Sequence, residues 1–309
     1  MNVSRVRVAT TAAAALAVGH ALPALAAVPG GRSIFRTTRR VGGPGDGRGA
    51  GPGRVGLTFD DGPETGAVDG FLEALRELDV SATFFVVGEQ VRRSPDAARR
   101  IVEAGHEIAC HGYRHLNHLR LTPPATIRDL RAARDTITGE TGAEIRHFRP
   151  PYGVFNAASW VTAARFGWER VLWARWGRDW EESATPERIR RCVMSGVRDG
   201  DIILLHDAEA YSSSGSWRRT LGALEPIVSE LRGRGFEPGP VGLVSPNGHP
   251  LSAPGGASPG SATAGGTTSD DATPAGAASG GATTNGAAPN ASGGRLAGGR
   301  GQRAKGTTS

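Results

Sequence analysis

From residue 54 to residue 244, short apolar runs alternate with stretches whose apolar positions recur every three or four residues. Residues 55–59 read as a buried strand, and residues 68–78 as a helix with Phe71, Leu72, Leu75 and Leu78 on one face. A second strand follows over 82–87. Ser94 and Pro95 open a helix through Ala104, Ser as cap and Pro in the first turn, and Gly105 ends it. Residues 107–110 form a third strand. The pattern then predicts a helix over 123–138, a strand around 145–148, a helix from the cap Asn156 to Phe166, and a strand over 170–173. Thr185-Pro186-Glu187 starts a helix reaching Val197, residues 201–205 are an intensely apolar strand, and a last helix covers 217–232 with Gly235 beyond its end. Strands alternating with helices across one domain predict an α/β fold with a parallel sheet, open or closed into a barrel. In such folds chemistry collects at the carboxyl ends of the strands.

The chemically interesting residues all follow a predicted strand. Asp60 and Asp61 close the first one and run into a Gly62-Pro63 turn. They read either as solvated caps of the next helix or as a site, because adjacent carboxylates at a buried strand end need compensation. A metal ion held by one Asp, with the other left free as a base, would supply it. His111 and His115 follow the third strand at a spacing that lets both face one ion, with Asp61 as a third, oxygen ligand. The alternative is a solvated surface pair, and His106 and His118 read as solvated bystanders. Arg149-Pro150-Pro151-Tyr152-Gly153 is a stiff turn after the fourth strand, able to hold an Arg head and the Tyr152 amide in place. Trp173, Trp176 and Trp180 surround Asp179, either as core packing or as a platform for sugar rings. His206 directly follows the last apolar strand, either as a structural residue or as a proton donor.

Taken together and in this order, residues 54–244 resemble the polysaccharide deacetylase family, the NodB-homology or family-four carbohydrate esterases. Five motifs carry the resemblance: TFDDGP at 58–63, HGYRH at 111–115, RPPYG at 149–153, GRDW at 177–180 and LLH at 204–206. It implies a distorted (β/α) barrel and hydrolysis of an acetyl group on a glycan. It implies that Asp61, His111 and His115 bind a divalent metal, Zn2+ first, with Co2+ or another divalent ion as alternatives. Asp60 would be the general base for the attacking water, and Arg149 would orient it and hold it ionised. The Tyr152 amide would stabilise the oxyanion, and His206, tuned by Asp179, would protonate the leaving amine. Trp180 and Leu204 would wall the acetyl pocket, with Trp176 beside them on the substrate side. Two positions depart from the family pattern: Gly112 stands where Ser or Thr is usual, and Trp176 where many members have Asp.

Composition narrows the rest. The formal net charge of +6 lies in the ends, because residues 54–250 carry 25 basic and 27 acidic side chains, a net of −2. That balance excludes a nucleic-acid footprint on the folded part. Arg5 and Arg7, the apolar run 8–18 and the small residues at 24–26 predict a signal peptide over 1–27, cleaved near Ala26 or Ala27 and too short to span a membrane. Residues 28–53 read as a flexible linker, 54–245 as the catalytic domain, and 246–309 as a disordered low-complexity tail of Gly, Ala, Ser, Thr, Pro and Asn. Of the two cysteines, Cys110 reads as a buried free thiol rather than as half of a disulfide. The expectation is a secreted or envelope-associated monomer, without a transmembrane segment when mature, that removes N-acetyl groups from chitin-type or peptidoglycan chains. Its rivals are an O-acetyl xylan esterase of the same fold, a non-catalytic glycan-binding module and, more remotely, a metal-independent hydrolase of a small non-sugar amide.

Overall fold

A computed structural model describes residues 14–28, 35–41 and 52–242. The chain runs β1 (Gly53–Asp60), α1 (Thr65–Glu77), β2 (Thr83–Val86), α2 (Gly88–Arg93), α3 (Pro95–Glu103), β3 (Glu107–Cys110), α4 (Pro123–Thr141) and β4 (His147–Phe148). It continues through α5 (Ala157–Arg165), β5 (Glu169–Arg170), β6 (Arg175–Trp176), α6 (Pro186–Met194), β7 (Ile202–His206), α7 (Ser216–Gly233) and β8 (Phe236–Gly239). The strands pair in parallel in the order β5-β4-β3-β2-β1-β7-β6, with β8 added on the first half of β1. The sheet curls into a half-barrel with helices packed outside it, which is the predicted α/β architecture. The apolar face of α1, built from Ala67, Val68, Phe71 and Leu75, lies on this sheet. There Phe59 meets Phe71 and Phe84 with ring centroids 5.1 and 5.0 Å apart.

Register is what positions the site. Asp60 is level with Phe85 of β2 and with His206 of β7. Cys110 is level with Phe148, and the hydrogen bonds step on across the strand ends: His111 N–H donates to Val86 and Arg149 N–H to Cys110. Four functional side chains therefore leave the sheet on one rim.

Several elements differ from the sequence-based expectation. The strand expected over 170–173 pairs with β4 only at Glu169–Arg170, and the chain then crosses to β7 as β6. Helix α2 has a mostly polar surface around Val91 and so shows no apolar period. Strand β8 contains Pro238, which argues against a strand in general but is tolerated where pairing is on one side only. Within the span read as a linker, residues 35–41 are bonded to the sheet. Thr38 exchanges backbone hydrogen bonds with Arg170 and Leu172, while Val41 N–H donates to Gly200 and Ile202 N–H to Arg39. This segment thus ties the β5 side of the sheet to the β7 side. Phe35, edge-on to Trp160 at 5.3 Å, and the buried Val41 anchor it despite its Gly-rich surroundings. Ala26, at the expected cleavage point, is buried and accepts a hydrogen bond from Arg39.

Both cysteines are free, and burial pushes the Cys110 thiol up to about 12, an unreactive state. Among the described residues no helix is long and apolar enough to cross a membrane. Residues 1–13 of the expected signal peptide and the expected tail 246–309 lie outside the described residues.

Asn156 ties the expected α5 cap to the loop that follows the His pair. Its side-chain oxygen accepts from Ser159 N–H, Ser159 Oγ returns a bond to the Asn156 N–H, and its Nδ2 donates to His118 O and Thr126 Oγ1. Asn156→Ala removes the cap and leaves the buried His118 carbonyl without this donor. It is expected to destabilise the fold by about 2 kcal/mol, read as a lowered urea midpoint with an unchanged slope.

Candidate active site

The rim formed by β1, β3, β4 and β7 gathers the residues singled out from the sequence. Asp60 ends β1 and is buried. Its Oδ1 accepts from Arg149 Nη1 at 2.5 Å, and the same nitrogen donates to Thr58 Oγ1 at 2.9 Å. Thr58 in turn donates to Ile203 O at 2.6 Å, so the pair is tied through β1 to the neighbouring β7. Burial pushes the Asp60 carboxyl up, and the Arg149 guanidinium pulls it back down. Arg149 is itself fully buried, with its guanidinium carbon 4.0 Å from the Phe85 ring centroid and 5.7 Å from that of Trp173.

Asp61 turns away from its neighbour because its backbone lies at φ +83°, a conformation uncommon outside glycine. Asp207 supports the turn by accepting the Gly62 N–H at 3.0 Å. Asp61 Oδ1 then sits 3.5 Å from His111 Nε2 and 3.2 Å from His115 Nε2. It is buried and has no hydrogen-bond partner among the described residues. Burial, together with the Asp60 and Asp179 charges, pushes Asp61 up to about 7 against the pull of His206. Both imidazoles are driven the other way: burial and the Arg149 charge hold His111 well below its usual range, and burial and His111 bring His115 to about 3. Two neutral imidazoles facing an unpartnered carboxylate oxygen match the donor set of a divalent cation. The three residues form the one group of this kind among the described residues, and they can hold a metal ion.

His111 is aimed by its other nitrogen, Nδ1, which lies 2.8 Å from Arg149 O. The departure at Gly112 has a local explanation. Its φ is +85°, and a Cβ there would press on Arg114 O at 3.3 Å and Asp129 Oδ2 at 3.4 Å. The loop is steadied instead by the buried Asp129 of α4, which accepts from Tyr113 N–H at 2.9 Å and from Arg114 Nε at 3.2 Å.

Opposite this group stands His206. Its Nδ1 lies 2.9 Å from Asp179 Oδ1, and its backbone N–H donates to Asp179 Oδ2 at 2.7 Å. Thr220 Oγ1 also donates to Asp179 Oδ2, at 2.8 Å, so the buried carboxylate is held from α7 as well. Burial alone would push His206 down, but the charge of Asp179 and its hydrogen bond, with Asp61 and Asp60 beyond, raise it to about 10. Its free Nε2 is 3.9 Å from Asp61 Oδ2. Trp180 stands edge-on to the His206 ring at 5.4 Å, and Trp176 continues the aromatic run 5.3 Å from Trp180, nearly half exposed. Leu204 is buried beneath them on β7. Tyr152, at φ +61° in the turn after Pro150, exposes most of its ring and touches His115 at 4.6 Å.

The two bystander histidines are a correction. His106 and His118 are buried rather than solvated, each brought to about 4 by desolvation and so neutral. His106 Nδ1 accepts the Ala82 N–H at 3.3 Å, and His118 stacks on Phe148 at 6.0 Å. Sequence reasoning also passed over Asp207, Thr220, Asp129 and Tyr211. Only Asp207 carried a signal, its position directly after His206.

A curled parallel sheet with such a rim is the architecture of the (β/α) half-barrel class. The family described as polysaccharide deacetylase matches residues 47–171. The chain is 36% identical over 189 residues to a chitooligosaccharide deacetylase of a Bradyrhizobium species, covering 59% of this chain and 85% of that one. It is 34% identical to a peptidoglycan-N-acetylglucosamine deacetylase of Bacillus cereus, covering 59% and 83%. A solved family 4 carbohydrate esterase from Streptomyces lividans, in complex with acetate, superposes with a TM-score of 0.56 at 33% identity, covering 66% of this chain and all of that one. The chain belongs to the polysaccharide deacetylase family.

Asp179 is the group that keeps His206 charged, so removing its charge must lower the His206 pKa. In Asp179→Asn, the imidazole titration followed by NMR on metal-free protein is expected to fall by about one unit or more. An unmoved titration would sink this assignment of the shift.

Proposed function

We propose that this chain is a secreted, Zn2+-dependent deacetylase that removes N-acetyl groups from N-acetylglucosamine-containing glycans, of the chitin or peptidoglycan type. The observation that carries the reading is the single unpartnered oxygen of Asp61 between two histidine nitrogens, with Asp60 on one side and His206 on the other. The two closely similar bacterial relatives, named for chitooligosaccharide and for peptidoglycan N-acetylglucosamine, support the substrate class. The presence of every proposed catalytic and metal-binding residue weighs against a purely binding role.

The chain's own residues divide the work. A cation held by Asp61, His111 and His115 would polarise the amide carbonyl and make water a usable nucleophile near neutral pH. Asp60 accepts the water's proton on Oδ2, because Oδ1 is committed to Arg149. Its pKa, lifted by burial, makes it a stronger base than an exposed carboxylate. As the carbon–nitrogen bond breaks, His206 gives the proton on Nε2 to the departing nitrogen, while Asp179 holds Nδ1 and the ring plane. The products are acetate and a free amine on the sugar. Trp180 and Leu204 would exclude water around the acetyl methyl, and Trp176 would offer a sugar ring its exposed face.

Asp60→Asn should lower kcat for acetate release by about 10²–10⁴-fold while Zn2+ is still taken up. Acetate release from chitooligosaccharides and peptidoglycan, with acetylxylan as a comparison, should vanish on exhaustive chelation and return with added metal. Activity that survives chelation, or an Asp60→Asn protein near the normal rate, would overturn the mechanism. Release from acetylxylan alone would overturn the substrate class.

A further inference from the structure

The two histidines of the metal group are not held alike. His111 has its Nδ1 tied to Arg149 O at 2.8 Å, which fixes the ring and aims Nε2 at Asp61. His115 Nδ1 is buried and has no hydrogen-bond partner among the described residues. A ring torsion of this sp³–sp² kind is broad and two-fold, so an untied imidazole is not held in one orientation by its own bonds. Ligating histidines ordinarily gain that orientation from a hydrogen bond at the second nitrogen.

At His115 the close contact is instead with the face of the ring. Tyr211 stacks on the imidazole with centroids 4.3 Å apart and planes 20° from parallel. Rotation of the imidazole about its bond to Cβ would drive its edge into the phenol ring. Tyr152 also touches the imidazole, but at 54° and from a ring that is 60% exposed. Tyr211 is the better held of the two. It is less exposed, at 37%. The loop that carries it is pinned at several points: Glu209 N–H donates to Glu64 Oε2 at 2.8 Å, Ser212 N–H to Glu209 O at 3.0 Å and Ser213 N–H to Trp180 O at 3.1 Å.

We propose that Tyr211 is a positioning residue for the metal ligand His115, orienting its ring by stacking in place of a hydrogen bond. The inference rests on the metal-dependent reading above and assigns Tyr211 no contact with the reacting atoms. It also links the loop that follows His206 at the end of β7 to the His pair after β3.

The test uses the full chain, stripped of metal by chelator dialysis, as wild type, Tyr211→Phe and Tyr211→Ala. Zn2+ dissociation constants are measured by competition with a chromophoric chelator, and the visible absorption of the Co2+-loaded proteins is recorded. Thermal unfolding of the metal-free forms checks that each variant is folded. Tyr211→Ala is expected to weaken Zn2+ binding about 10-fold or more and to change the Co2+ bands, whereas Tyr211→Phe keeps the ring and stays within about threefold of wild type. Tyr211→Leu keeps part of the apolar bulk without a planar ring and should behave as the Ala variant does, which keeps the test decisive if Tyr211→Ala does not fold. Wild-type affinity and Co2+ bands in both truncated variants overturn the inference, as does a Phe variant as weak as the Ala variant. A wild-type chain that takes up neither ion overturns the metal-dependent reading itself, which separates that failure from this one.

Discussion

Arg149 has no exposure to solvent, and the carboxyl end of the sheet is organised around that charge. An unpaired guanidinium in such a place would cost several kcal/mol. One carboxylate oxygen of Asp60, the Thr58 hydroxyl and the face of Phe85 offset that cost. The consequence runs outward from the pair. Asp60 loses the freedom of one oxygen and keeps the other for chemistry, while the Arg149 carbonyl takes Nδ1 of His111 and points that ring at Asp61. The two prolines after Arg149 keep its backbone from yielding. A single buried ion pair therefore orients both the proposed base and one proposed ligand.

The second consequence is electrostatic asymmetry. Within one buried rim the chain places neutral imidazoles at His111 and His115 and a charged one at His206. The difference lies in their partners. His206 has a carboxylate of its own in Asp179, whereas His111 meets a backbone carbonyl and the nearby Arg149 charge. Environments that push similar groups apart in pKa are how one site supplies an acid and ligands at the same pH. Asp207 belongs to the same balance. Burial and the neighbouring Asp61 charge lift it to about 8, so that near neutral pH it supports the Gly62 turn largely without adding a further negative charge.

At the opposite end of the same strands the chemistry is different. His147 and Glu107 form a close pair at 2.5 Å, and Glu107 also accepts from Thr83 and Gly242. Burial opposes the charge on His147, but Glu107 wins and raises it to about 9. That network ties the starts of β2, β3 and β4 to the segment after β8 and leaves no unpaired carboxylate oxygen between imidazoles. Parallel strands thus carry fastening at one end and reactive groups at the other, as α/β folds generally do.

The alternation of apolar runs and amphipathic stretches, and the residues standing just past each run, were legible without coordinates. Local sequence carries both, because strand and helix periods are local and a strand's end fixes where the next side chain emerges. The caps at Asn156 and Thr185 were legible for the same reason. What only the tertiary structure decided depends on residues far apart in the chain. The burial of His106 and His118, the short strands β5 and β6, and the pairing of β8 despite Pro238 follow from contacts with distant elements. So do the docking of residues 35–41 between β5 and β7 and the stacking of Tyr211 on His115. Whether an Asp is a cap or a ligand, or a histidine neutral or charged, is set by desolvation and by the nearest opposite charge. Those quantities exist only once the chain has closed on itself.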